Sequence, residues 1–306
     1  MVVYGGWMMS ELSSGDASEG SSMIAPVHSF LNRLETHSVH DSTANFRHRA
    51  DSESVSSCIS IVPELGAIPP VPVRSHGAYE LKFLIDEERA QRIMAWARTY
   101  LDRDPHAGGE SGDEYLVNSL YLDTPGLDVY HRSDLFRRRK YRLRRYGQES
   151  RIWMEVKRKQ KGLVRKRRVA IEERELAAYL RDPFNPERED SWFRKRLDDQ
   201  NLQPACQVTY RRFARIGTTV NGSMRLTIDT DLAGIASDHW QVPCGPIVGI
   251  PLLPHQRILE LKFQVMMPVE FRKLVEHEQL LTNSFSKYRT SVEECLPFDR
   301  ISGDQS

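Results

Sequence analysis

The sequence predicts an α+β fold built on one large, mainly antiparallel sheet. Two observations lead there. Eight short runs with strand-like alternation are spread between residues 79 and 263, and the few helix-like segments interrupt or follow them rather than alternating regularly with them. Composition agrees with a folded soluble chain: of 306 residues, 40% are hydrophobic and 28% charged, enough for one large domain or two small ones.

Residues 1–73 are rich in Ser, His and small residues, show no sustained period, and close on "AIPPVPV". They read as a disordered tail or linker, with the folded domain at 74–299 and a short tail at 300–306. "YELKFLI" (79–85) is the first strand, and Asp86 is placed to cap the helix after it. In that helix Ile93, Trp96, Ala97 and Tyr100 share a face, which is the spacing of core packing. "DPHAGGESGD" (104–113) lacks the G-K-[ST] ending of a phosphate-binding loop and reads as a connector. Strands follow at 115–123, 137–146, 151–158, 164–171, 206–213, 224–230 and 257–263. Helical insertions are expected at 172–180 and 187–199. A last helix is expected to begin at Pro268 as its first residue, with Phe271, Leu274, Val275 and Leu281 on its apolar face. "VPCGPIVGIPLLP" (242–254) reads as a Pro/Gly-rich loop packed on the sheet.

Several function classes are disfavoured at once. The four cysteines show no C-x-x-C spacing, so neither a zinc site nor a disulfide scaffold is expected, and a cytoplasmic setting is the default. No apolar run approaches the roughly 18 residues of a membrane span. No Ser–His or Cys–His pair is apparent, and the histidines lack metal-ligand spacing. Net charge is only +1, so any argument for an anionic partner rests on local placement.

That placement is orderly. Side chains two apart on a strand share a face. Glu80 and Lys82 oppose Leu81 and Phe83; Lys140, Arg142 and Arg144 oppose Tyr141 and Leu143. Trp153, Glu155 and Lys157 oppose Met154 and Val156, while Lys166 joins Arg168, Tyr210 joins Arg212, and Arg225 joins Asp229. Glu260 and Lys262 repeat the first strand's pattern. A polar face meeting water is the simpler reading of any single strand. Repeated on every strand, with lysines and arginines far outnumbering carboxylates, it leaves like charges side by side and calls for a counter-charge. A phosphate or polyanion site fits, with Arg as a bidentate fork and Lys as a point charge. If the sheet closes into a barrel, this face turns inward.

The set "YELKF", "SLYLDT", "KYRLRRYG", "MEVKRK", "TYRR", "RLTIDTD", "LELKF" and "SFSKY" resembles the VTC domain, the catalytic domain of polyphosphate polymerases within the CYTH, or triphosphate tunnel metalloenzyme, superfamily. The resemblance covers about 74–299. It implies an eight-stranded antiparallel β-barrel tunnel with flanking helices, binding a nucleotide triphosphate with Mn²⁺ or Mg²⁺ and transferring the γ-phosphoryl of ATP to inorganic polyphosphate. Carried over by motif, Lys82, Arg142, Arg144, Lys157, Arg212, Arg225 and Lys287 would act on the phosphates, and Lys166, Tyr210, Lys262 and Ser286 would help bind them. Glu260 would be the principal metal ligand, with Glu80 and Glu155 beside it. Where some polymerases carry a basic residue before F-S-K, this chain has Ser284. Triphosphate hydrolysis on the same scaffold and a non-catalytic polyphosphate- or nucleotide-binding module stay open. Nucleic acid is not expected, because a closed tunnel excludes a duplex.

Overall fold

The computed structural model describes residues 77–108, 112–161, 163–297 and 301. The expected tail at 1–73, and all of 300–306 except Ile301, lie outside the described residues. Strands β1 (Ala78–Ile85), β3 (Glu114–Asp123), β4 (Arg139–Tyr146), β5 (Arg151–Gln160), β6 (Leu163–Glu172), β7 (Gln203–Thr219), β8 (Gly222–Ala236) and β10 (Arg257–Phe263) join in the order β7-β3-β4-β5-β6-β1-β10-β8. Pairing of β8 with β7 closes the ring, and every ladder is antiparallel, so the expected eight-stranded barrel is present. Two-residue strands β2 (Asp102–Arg103) and β9 (Ile250–Pro251) pair with β7 and β8.

Closure is uneven. β1 and β10 share seven register pairs, but only Ala78–Val164 and Tyr79–Leu163 join β1 to β6. Beyond them the chain at 282–283 lies along β1 instead: Phe83 bridges Thr282, and the Asn283 amide donates to the Lys82 carbonyl at 2.7 Å. This directs residues 284–287 into the barrel. At the opposite turn, the β7–β8 hairpin needs Gly222 at φ +108°, where a Cβ would sit 2.0 Å from Gln264 Oε1.

Six helices flank the barrel among the described residues: α1 (Glu87–Tyr100), α2 (Asp128–His131), α3 (Glu173–Arg181), α4 (Ser191–Asp199), α5 (Val269–His277) and α6 (Lys287–Cys295). Asp86 caps α1 by accepting from the Arg89 amide at 2.7 Å, worth about 1 kcal/mol. Outward-facing Leu81, Phe83, Leu259, Leu261 and Phe263 pack under α1 and α5, forming one core. On the other side Leu120, Leu143, Ile152, Met154 and Ile171 pack with α3 and α4. Burial of these apolar faces leaves the ionic faces nowhere to point but inward.

Several local expectations shift. The buried face of α1 is Ala90, Ile93, Met94 and Ala97; Tyr100 at its end is 63% exposed. Pro268 is the cap of α5 rather than its first residue, because its ψ of 147° is extended. Leu281 is not on that helix face: Gln279 turns to φ +49°, ending the helix, and leaves Leu281 exposed. The connector at 104–113 is more than a loop. Asp104 and Asp113 are buried, the first pairing with Arg225 at 2.6 Å and the second with Arg98 and Arg215. The 242–254 loop does pack on the barrel wall: Asn118 donates to the carbonyls of Pro243 and Gly245, and buried Arg145 donates to that of Val242.

Candidate functional site

Register brings the interior together. Lys140 of β4 faces Lys157 of β5, which faces Lys166 of β6. Arg142 faces Glu155, Glu80 faces Lys262, Lys82 faces Glu260, and Arg212 faces Asp229. All belong to inward parity. Apart from Arg168, which has the same parity but lies exposed over the Trp153 ring, the ring holds nine cations, Lys82, Lys140, Arg142, Arg144, Lys157, Lys166, Arg212, Lys262 and Lys287, against four carboxylates, Glu80, Glu155, Asp229 and Glu260.

The four carboxylates are saturated. Glu80 is reached by Lys157 at 2.9 Å, Lys82 at 3.4 Å and Lys262 at 3.5 Å. Glu260 is reached by Lys82 at 2.5 Å, Lys262 at 3.3 Å and Lys287 at 3.8 Å. Glu155, fully buried, is held by Arg142 at 2.6 Å and Lys166 at 3.2 Å. Asp229 lies between Arg212 at 2.6 Å and Lys287 at 2.5 Å. Two cations have no carboxylate partner among the described residues. Lys140 donates to Ser286 Oγ at 2.6 Å, and Arg144 donates to Ser119 Oγ at 2.9 Å while facing the rings of Tyr146 and Tyr210.

Titration follows from that imbalance. Burial, which favours the neutral ammonium, pulls Lys157 down to about 7, outweighing the attraction of Glu80. Burial likewise brings Lys287 to about 8 against the pull of Asp229, and drives Lys140 well below the lysine range with help from Lys82 and Lys157. For Glu260, burial acts upward, but Lys82, Lys262 and Lys287 overcome it and hold the carboxylate well below its usual range. Burial of Tyr146 is outweighed by Arg144, which lowers the phenol to about 8. The tunnel is short of negative charge.

α6 supplies the last cation. Ser286 caps it and Lys287 opens it, both delivered inward by the segment that fills the β1–β6 gap. Behind them Tyr288 and Val292 pack with Tyr121, Cys206, Val208 and Ile258, so this helix closes part of one mouth. Near the Tyr146 end of β4 a cavity of about 970 Å³ opens, lined by inward Tyr115, Tyr146 and Tyr210 and by Arg98, Glu149 and Pro246.

Of the residues singled out from sequence, Lys82, Arg142, Arg144, Lys157, Lys166, Arg212, Lys262, Lys287, Tyr210, Ser286, Glu80, Glu155 and Glu260 stand at inward positions. Arg225 shares their parity but its guanidinium is taken by Asp104 and the Tyr115 hydroxyl, toward the rim. Lys140 and Asp229, both on the ionic faces read from sequence, belong to the cluster as well. Thr227, opposite Glu260 and with a buried hydroxyl lacking a partner, gave no signal, since a lone Thr on a strand is unremarkable.

Among the described residues no three His, Cys, Asp or Glu side chains gather as a metal cage. Glu80 and Glu260 share Lys82 and Lys262 as partners, whereas both oxygens of Glu155 are committed to Arg142 and Lys166. Mg²⁺-type ions are commonly held by one or two carboxylates plus substrate phosphates, which Glu80 and Glu260 fit.

The model of the VTC domain family matches residues 77–296. No curated protein matches the chain. Among solved structures it is similar to a protein of Pyrococcus horikoshii OT3 at 14% identity, covering 71% of this chain and 99% of that one, TM-score 0.40. It is similar also to a "putative adenylate cyclase" of Bacillus halodurans at 16%, covering 69% and 95%, TM-score 0.42. A third is a "putative adenylyl cyclase" of Hippeastrum, described as having a dominant triphosphatase activity, at 12%, covering 73% and 98%, TM-score 0.41. No helix among the described residues is long and apolar enough to cross a membrane.

Proposed function

Because this chain belongs to the VTC domain family, we propose that it is a polyphosphate polymerase that moves the γ-phosphoryl group of ATP onto a polyphosphate chain held in its tunnel. The observation that carries this reading is the uncompensated charge: among the described residues, nine inward cations stand against four carboxylates, and Lys140 and Arg144 have no acidic partner. A triphosphate would supply the missing negative charge, and it would restore the protons that burial strips from Lys157, Lys287 and Lys140.

Phosphoryl transfer asks a protein chiefly for positioning and charge neutralisation. Arg142, Arg144 and Arg212 would grip phosphate oxygens as forks, and Lys82, Lys157, Lys166, Lys262 and Lys287 would follow the shifting charge as point donors. The acceptor is the ionised end of the chain, so no side chain needs to remove a proton from it. A Mn²⁺ or Mg²⁺ ion held by Glu260 and Glu80 would draw charge from the phosphate oxygens. Binding of substrate would pull Lys82 and Lys262 off those carboxylates and onto phosphate, freeing the oxygens for the ion. The tyrosine-lined cavity, whose charged lining is mixed in sign, suits the nucleoside better than a polyanion.

Purified protein incubated with ATP and Mn²⁺ tests the reading. A polyphosphate ladder on a stained gel, together with ADP, is expected. Orthophosphate without a ladder would assign hydrolysis instead, and tight binding without either product would leave a binding module.

A further inference from the structure

The polyphosphate reading accounts for the inner wall of β4, β5 and β6 but leaves their outer wall unexplained. On the rung next to Lys140, Lys157 and Lys166, Arg139 faces Arg158 and Arg158 faces Arg165. Adjacent positions on a strand point to opposite faces, so these three arginines stand outside, side by side. Arg158 and Arg165 are exposed and Arg139 half-buried. Like charges directly opposed across a ladder destabilise it. Some other arginines of the outer surface have an acidic neighbour: Arg92 with Glu88, Arg194 with Asp198, Arg211 with Asp231. The same β5–β6 ladder does so at its far end, where Arg151 faces Glu172 at 3.3 Å. Arg139, Arg158 and Arg165 have no ion-pair partner among the described residues.

Resting on the polymerase reading, we propose that Arg139, Arg158 and Arg165 form an external track for inorganic polyphosphate, continuous with the tunnel through Lys157 and Lys166. Continuity is the deciding observation. The side chains of Lys157 and Lys166 are 23% and 37% exposed although they face inward, so solvent reaches the inner rung along this edge. Successive strand residues rise about 3.3 Å, so the inner and outer rungs are close neighbours at the rim. A thin, flexible chain with charge on every unit can pass from one to the other. Nucleic acid is the weaker fit, because single strands bind by stacking bases on open aromatic faces. On this wall Trp192 is already covered by Arg167, at 4.1 Å. The tyrosine cavity lies at the other end of β4, so nucleoside and growing chain would occupy separate mouths.

The test uses the full chain carrying R139Q, R158Q and R165Q together, and a second variant with Lys at all three positions. Fluorescence anisotropy reports binding of labelled long-chain polyphosphate over a salt series, and unlabelled tripolyphosphate competes for the tunnel. The Gln variant is expected to lose about tenfold or more in long-chain affinity and to lower the slope of log affinity against log salt by about three, with tripolyphosphate affinity unchanged. The Lys variant should keep the slope. Circular dichroism melts of the Gln variant should be no lower than wild type, because repulsion has been removed. Unchanged long-chain affinity and slope in the Gln variant would overturn the track. So would single-stranded RNA of equal charge displacing the polyphosphate more readily than unlabelled polyphosphate does. If tripolyphosphate fails to bind at all yet the Gln variant still loses long-chain affinity, the tunnel reading falls and the track stands. If long-chain binding depends only on tunnel lysines, the track falls and the tunnel reading stands.

Discussion

Binding of ATP should draw protons out of solution, and the structure fixes roughly how many. Burial pulls Lys157 down to about 7 and Lys287 to about 8. At pH 8 about nine-tenths of the first and half of the second are deprotonated, which follows from those values directly. A triphosphate against both ammonium groups favours their charged forms and returns them toward the ordinary range near 10.4. Uptake of roughly one to two protons per ATP is therefore expected at pH 8, with Lys140 adding to it. The terminal phosphate, with a second pKa of about 6, is already ionised there and has none to give. Titration calorimetry without metal, repeated in buffers of different ionisation enthalpy, reads the number. Lys157→Met should reduce it by about 0.9 while sparing the fold, since Glu80 keeps Lys82 and Lys262. Zero uptake, or uptake unchanged in that variant, would refute placement of the triphosphate beside Lys157.

The same groups set a stability profile. Lys157, Lys287 and Tyr146 all lose protons more easily folded than unfolded, so the unfolded chain binds more protons between pH 7 and 10. Melting temperature should rise with pH across that window without anions, and saturating ATP should flatten the rise; a fall would contradict the lysine assignments. Arg142→Ala should weaken ATP binding and destabilise the fold by about 3 kcal/mol in denaturant melts, because buried Glu155 loses its nearest partner. Adding Glu155→Gln should recover much of the stability and none of the affinity. Glu260→Gln should abolish turnover yet raise metal-free ATP affinity, since it removes a competing carboxylate from Lys82 and Lys262; retained turnover would take Glu260 out of the metal site.

Strand parity carried most of what was legible beforehand. Because period-2 alternation survives in a short window, the faces of β1, β4, β5, β8 and β10 could be read directly, and inward packing of their charges followed once the ring closed. Closure itself was not legible from alternation and came only with the family resemblance. The reason is physical: β7–β8 pairing and the two-pair β1–β6 seam are long-range events with no local pattern. The helix α6 escaped notice because nine residues of "KYRTSVEEC" bury Lys287 and Ser291 beside Tyr288 and Val292, which is not an apolar stripe. Asp104 and Asp113 looked like loop residues for a similar reason: only the folded barrel brings Arg225, Arg98 and Arg215 to meet them.

Lys140 and Arg144 offer the cleanest lever on the site. Neither makes an ion pair with a carboxylate among the described residues, so replacing both with Met breaks no salt bridge there. ATP affinity of this double variant, measured by calorimetry beside wild type, should fall by about 100-fold, as two charge-assisted contacts of about 1.5 kcal/mol each are lost. Wild-type affinity in a correctly folded double variant would mean that the phosphates bind somewhere other than inside the barrel.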